Sequence, residues 1–370
     1  MSAKVVIVGA GYAGVSAAKR LARDDVEVTV VNPRPDFVER IRLHQLMAGN
    51  HPATRPLASL LPRSTALVRD SARTIDADRK KVELGGGGTV DYDYLIYAAG
   101  SRSRLDLVPG ASEHAVNVGG LQDAITARKR LDGLPRGSSV TIIGGGLTGV
   151  ELAAELAELR THRVHLVTGG AIAASVGEGG RRYIRRHLAA LGAEVTEDAA
   201  VAEVQAAKVV LADGRVLRSD LAVMTAAFET PALARDSGLR VGFGGALAVD
   251  RTLVSASSPA IVGAGDASWI GAGPLRMSCQ AAIPLGAHAA QTVLHLIDGT
   301  EPRPVRPKFT SQCVSLGRRS ALWQRTRLSD EPASLIVTGR AGALIKEQIC
   351  RSTLRLALNP RLTRLSYGWT

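Results

Sequence analysis

The sequence predicts an α/β fold: two parallel-sheet units of the same design, followed by a small α+β region at the C-terminal end. Three observations predict it. A strand, a glycine turn and a helix open the chain over residues 4–23. The same pattern returns near residue 140, and a proline-rich stretch at 301–308 sets off a last strand-and-helix segment.

Residues 4–8 (KVVIV) are a short apolar run that leads into Gly9-Ala10-Gly11-Tyr12-Ala13-Gly14. An alanine-rich helical pattern continues to Arg23, and a second apolar strand covers residues 26–31. Strand, turn, helix and strand within about 30 residues are the setting that a dinucleotide-binding fingerprint requires. Gly9 allows the tight turn, Gly11 lets a pyrophosphate approach the backbone, and Gly14 lets helix and strand pack closely. The helix start then offers free N–H groups and the positive end of its dipole to phosphate.

Residues 140–143 lead in the same way into Gly144-Gly145-Gly146-Leu147-Thr148-Gly149, a helix over 150–160 and a strand over 163–167. Two complete units imply two nucleotide sites, hence a flavoprotein that also binds a pyridine nucleotide. Between them, residues 71–76, 80–82 and a glycine turn at 85–88 read as a small sheet feeding a strand over 92–99, which ends in Ala98-Ala99-Gly100. A similar strand over 221–225 closes the second unit. Residues 259–266 then deliver Asp266 at the carboxyl end of a strand, where open α/β sheets bind ligands. A helix follows Met277. Beyond the linker, residues 309–324 and 333–339 read as strands and 343–358 as a helix.

The composition agrees. A chain of 370 residues with 45% hydrophobic and 22% charged residues has room for two to three domains of about 100–200 residues each. The longest near-apolar run, 280–297, is interrupted by Pro284, His288, Gln291 and His295, so no spanning helix is expected. The first strand begins at once, and no signal peptide is expected. Cys279, Cys313 and Cys350 are odd in number and far apart in sequence, without disulfide, zinc or Cys-x-x-Cys spacing; a cytoplasmic protein with reduced thiols follows. Of the net charge of +12, residues 301–370 carry +9. A basic tail suits an anionic membrane, an acidic partner or nucleic acid, while a solvated surface is the plain alternative.

The order of motifs resembles the flavoproteins with two dinucleotide-binding domains, over essentially the whole chain. Within them it is most similar to the type II NADH dehydrogenases and the apoptosis-inducing-factor-2-like quinone reductases. The carrying segments are VVIVGAGYAG, SARTID, DYLIYAAGS, IIGGGLTGVELAAEL, MTAAF, AIVGAGDAS, SCQAAIPLG and SLGRRSALW. The resemblance implies two Rossmann-like domains and a small α+β C-terminal domain. An FAD domain would comprise 1–110 and 232–300, an NAD(P)H domain 111–231 and an interface domain 301–370. Residues 36–50 lack the cysteines of the disulfide reductases of this fold, and the Arg-Pro-Pro-Leu-Ser-type segment of the ferredoxin reductases is missing.

For FAD the resemblance implies Gly9, Gly11, Tyr12, Ala13 and Gly14 at the pyrophosphate, and Asn32 at the adenosine ribose, where relatives carry an acid. It implies Ala72 near adenine, Ala99 and Gly100 at the end of their strand, and Asp266 on a ribityl hydroxyl. Arg42 and His44 fall on the segment that meets the flavin ring, and Gln280 and Ala281 open the helix beside it. For NAD(P)H it implies Gly144, Gly146 and Gly149 at the pyrophosphate. Glu151 would lie near nicotinamide and flavin, and Thr168 stands where NADH-selective relatives favour an acid. Gln280 and Glu151 are the catalytic candidates, and no metal is expected. The type II enzymes have two glutamines on the helix after Cys279, whereas here Pro284 replaces the second.

The function implied is an FAD-dependent NAD(P)H oxidoreductase passing electrons to a quinone or quinone-like acceptor. The alternatives are a biosynthetic flavoenzyme acting on another small molecule and a redox-responsive flavoprotein that binds nucleic acid. On the tail helix, Leu344, Ile345, Ile349 and Leu356 form an apolar stripe with Lys346, Arg351 and Arg355 beside it. The stripe suggests peripheral docking on an anionic membrane, or else packing on the FAD domain or in a homodimer.

Overall fold

The computed structural model describes residues 2–271, 273, 275–355 and 369. Two five-stranded parallel sheets dominate it. In the first, the strands run in the order Ile261–Gly263, Tyr94–Tyr97, Ala3–Val8, Val26–Val31, Ala66–Val68. In the second the order is Ala115–Asn117, Leu221–Met224, Ser139–Ile143, Arg163–Val167, Glu194–Thr196. The inner strands are rich in buried Val, Ile and Leu, as expected where helices cover both faces of a parallel sheet. Each sheet also has an antiparallel three-stranded appendage, Ala72–Asp76 with its neighbours in one case and Val201–Gln205 with its neighbours in the other.

The helix Tyr12–Arg20 crosses from the central strand of the first sheet, and Leu147–Leu159 does the same in the second. Helix Cys279–Ile297 lies against Tyr12–Arg20 so closely that a Cβ on Gly286 would run into the Ala13 backbone, and Ser16 Oγ donates to the Ile283 carbonyl (2.8 Å). Pro284 is the sixth residue of that helix, past its first turn. It has no N–H, so the Gln280 carbonyl receives no helical bond from it.

The C-terminal segment differs from the expected pattern at one point. Residues 309–324 are not one strand but two, Ser311–Ser315 and Ala321–Thr326, paired antiparallel across a turn at Gly317 (φ +80°) and joined by Pro332–Thr338. This sheet rests on the second unit: Gly177 N–H donates to Gln324 (2.9 Å), and Ser175 Oγ to Gln312 (2.7 Å).

The closing helix Gly339–Arg355 begins four residues before its expected start. It buries a stripe of Gly342, Lys346, Cys350 and Thr353 against the sheet. Lys346 is therefore not available to lipid headgroups, which corrects that part of the tail reading. Leu344 is exposed, Ile345 and Ile349 are half-buried, and Arg351 pairs with Glu347. Leu356 and the Arg355 side chain lie outside the described residues. No described helix is long and apolar enough to cross a membrane.

Candidate active site

The two glycine turns are built alike. Gly9 (φ +101°) and Gly144 (φ +120°) hold a backbone conformation that L side chains rarely adopt. A Cβ on Gly14 would collide with the Gly9 carbonyl, and one on Gly149 with the Gly144 carbonyl, so each helix packs directly on its turn. Gly11 and Gly146, the N-cap residues, face open space instead. Both helix starts are thus accessible from the side that a pyrophosphate would take.

Around the first turn, Asn32 is buried and its amide is already engaged. Its Oδ1 accepts from Ala10 N–H (3.1 Å) and its Nδ2 donates to the Arg34 carbonyl (2.7 Å), so the side chain fixes the turn. Tyr12 stands edge-on to Phe37 (5.0 Å), and its hydroxyl is buried without a hydrogen-bond partner among the described residues. Ala72 opens the first appended sheet, and Ala99 and Gly100 (φ +72°) follow strand Tyr94–Tyr97.

Asp266 sits in the single turn Gly265–Ala267. Burial pushes its carboxyl above the ordinary value, opposed by Arg40 (3.5 Å) and by Ser101 Oγ, which donates to it (2.9 Å). Arg40 also donates to Ser101 Oγ (2.9 Å). These two supports were missed in the sequence, although Ser101 ends the AAGS motif. A cleft of about 60 Å³ opens above Asp266 and Ala281, walled by Phe228, Phe243 and Trp269.

Gln280 is held at both ends. Its Oε1 accepts from Arg276 (3.1 Å) and its Nε2 donates to Thr310 Oγ1 (2.7 Å). Arg276 in turn makes a two-pronged pair with Asp330 (2.6 and 2.8 Å) and lies over the Phe309 ring (5.0 Å). Ala281 N–H is occupied by the Ser278 cap (3.3 Å).

The remaining predicted residues converge in a buried charged cluster. Arg42 donates to Glu347 (3.0 and 3.2 Å) and to Gln45 Oε1 (3.0 Å), with Glu39 at 3.4 Å. Glu151 accepts from Ser315 N–H (3.0 Å) and pairs with Lys346 Nζ (2.8 Å). Burial raises the Glu151 carboxyl, but Lys346 and its bonds outweigh that and hold it below the usual range. Glu155, fully buried, bonds to Arg318 and Asn50. His44 lies between the two acids, Nδ1 at 3.6 Å from Glu151 and Nε2 at 3.9 Å from Glu155.

Burial, together with Lys346, Arg318 and Arg42, lowers the His44 pKa from 6.5 to about 4, against the pull of Glu151. The imidazole is neutral at pH 7. Between about pH 6.5 and 4 the unfolded chain binds a proton that the folded chain does not, so the stability present above that window is lost on acidification. The contribution is about 3 kcal/mol. Urea unfolding of His44→Gln should therefore show a flatter loss of stability from pH 7 to 4.5 than the parent; parallel losses would contradict the assignment.

In the second unit, Thr168 follows strand Arg163–Val167 and packs against the Gly145 turn. Arg181 is paired with Glu178 (2.6 Å), and Arg185 bridges Glu178 and Glu197. Glu197 also accepts from Ile172 N–H (2.8 Å). Arg182 is exposed and has no partner among the described residues.

Residues 3–291, spanning both glycine turns and Asp266, match the pyridine nucleotide-disulphide oxidoreductase family. The chain belongs to that family. An NADH dehydrogenase-like protein of Mycobacterium tuberculosis is 28% identical to this oxidoreductase over 360 residues, 88% of this chain and 90% of its own length. The type II NADH:quinone oxidoreductase of Staphylococcus aureus is 29% identical over 177 residues, 42% of this chain and 43% of its own. Among solved structures, NDH2 from Plasmodium falciparum in complex with NADH superposes with a TM-score of 0.81 at 15% identity, covering 100% of this chain and 99% of its own. That likeness is one of fold.

Proposed function

We propose that this oxidoreductase is an FAD-dependent NAD(P)H dehydrogenase that delivers electrons to a quinone or quinone-like acceptor. One observation carries the reading: the same open glycine turn, at the carboxyl end of a parallel strand, occurs twice, 135 residues apart. One dinucleotide would occupy each. When bound, FAD supplies a hydride acceptor that can pass electrons on one face of its ring after taking them on the other.

In this reading residues 1–110 and 232–300 hold the flavin, 111–231 the nicotinamide coenzyme, and 301–370 close the interface. The Tyr12 hydroxyl, without a partner among the described residues, the open N-cap at Gly11 and the largely buried Asp266 carboxylate fit such a group. Backbone N–H groups after Gly11 and Gly146 would receive the pyrophosphates, and Asp266 a ribityl hydroxyl. Gln280, with its amide fixed by Arg276 and Thr310, would face the flavin at the start of its helix. Glu151, kept ionised by Lys346, would set the field where nicotinamide meets flavin. The type II relative's name supports a quinone acceptor; Pro284 in place of a glutamine favours a different small molecule as the second reading. Steady-state turnover with menadione separates the two, since the second predicts little.

NADPH is expected not to be strongly rejected, because Thr168 carries no charge and the nearby Glu197 carboxylate is neutralised by Arg185. Stopped-flow rates of flavin reduction by NADH and NADPH measure this. A preference for NADH of several hundred-fold would contradict it.

A further inference from the structure

A cavity of about 280 Å³ lies beside the helix Leu43–Met47, the turn at Gly317 and the closing helix Gly339–Arg355. Of the residues proposed above to meet the cofactor, only Arg42 lines it. At that size it admits a molecule smaller than a typical drug-like ligand.

Its walls offer donors whose matching acceptors are already occupied. Gln45 is buried, and its Oε1 accepts from Arg42, which leaves the amide N–H groups without a partner among the described residues. His51 Nδ1 accepts from Ala53 N–H (3.0 Å), so the ring proton sits on Nε2 as a donor. Lys346 uses two of its three ammonium protons, on Glu151 and on the Cys313 carbonyl (3.3 Å). Arg318 places Nε and one Nη on Glu155. The one carboxylate on the wall, Glu347, is held by Arg42 and Arg351. Asn50, at the exposed rim, gives its amide N–H to Glu155.

The wall thus carries three cations against one carboxylate, but Glu39, Glu151 and Glu155 stand directly behind those cations. A single negative charge with several acceptor oxygens suits this arrangement. A dianion would meet carboxylates that already satisfy the cations.

We infer that this cavity binds a small monoanionic carboxylate, its oxygens received by His51 Nε2–H, the Gln45 amide and the remaining N–H of Lys346. Charge-assisted bonds of this kind are the strong ones, and they discriminate against neutral isosteres.

The test is calorimetric titration of the purified full-length holoprotein, at fixed ionic strength, with benzoate, benzamide and inorganic phosphate up to 50 mM, a range set by roughly millimolar affinity. Benzoate is expected to bind at least tenfold more tightly than benzamide, and phosphate more weakly than benzoate. His51→Asn and Gln45→Leu should each weaken benzoate several-fold, while the ligand-free melting temperature of His51→Asn, which keeps a side-chain acceptor for the buried Ala53 N–H and loses only the Nε2 donor, stays at the parent value. Absence of benzoate binding, equal affinity for benzamide, or indifference to both substitutions would overturn the assignment. At alkaline pH, where phosphate is the dianion, its tighter binding than benzoate would overturn the preference for a single charge. Binding is read without turnover, so its outcome is separate from that of the menadione experiment.

Discussion

Exchanging Lys346 for methionine is expected to cost about 3–5 kcal/mol of folding stability, because it leaves the Glu151 carboxylate buried without its counter-ion. Glu151 would keep the Ser315 N–H, but one hydrogen bond does not replace an ammonium 2.8 Å away. The pair also ties the closing helix to Leu147–Leu159, the helix that carries the second glycine turn. Adding Glu151→Gln to Lys346→Met should recover most of the loss, since a neutral amide tolerates the same site far better. Equilibrium denaturation of the two singles and the double gives the coupling directly. A loss below about 1 kcal/mol for Lys346→Met would mean that the carboxylate is neutral or solvated in the folded chain.

The second large effect concerns Asp266. Its carboxylate is positioned by Ser101 and Arg40 and lines the cleft walled by Phe228, Phe243 and Trp269. Asp266→Ala is expected to weaken FAD retention by about 1.5–3 kcal/mol, the range for a hydrogen bond to a charged group, or roughly ten- to 150-fold in the dissociation constant. Flavin fluorescence released on dilution measures it. Asp266→Asn should fall between the two, as it keeps an acceptor but loses the charge. Parent-like retention by the alanine variant would remove Asp266 from the cofactor site.

Both units could be read from the sequence because their signals are local. A tight turn, a close helix and an open N-cap need glycine at fixed offsets, and the strands on either side are continuous apolar runs. What was not legible depends on residues far apart in the chain. Nothing near Glu151 announces Lys346, because the two meet only once the closing helix docks on the second unit. The clamp on Gln280 is assembled from Arg276, Phe309, Thr310 and Asp330 in the same way. Ser101 and Arg40 gather on Asp266 for the same reason. The strand break at Gly317 had a local signal, glycine followed by Arg318-Arg319-Ser320, which the apolar residues on either side masked. Asn32 reads as a ribose contact by its place in the pattern, yet its amide is engaged by Ala10 and Arg34. A side chain's hydrogen-bond partners are a property of the fold, and the residue's type alone does not supply them.

The most direct test of the central claim is anaerobic mixing of the purified protein with NADH, and separately NADPH, followed by reoxidation with a panel of quinones. A flavin absorbance near 450 nm is expected to bleach on mixing with either coenzyme and to return on addition of menadione, on the order of one equivalent per flavin. A protein that carries no flavin, or one whose flavin does not bleach with either coenzyme, would contradict it.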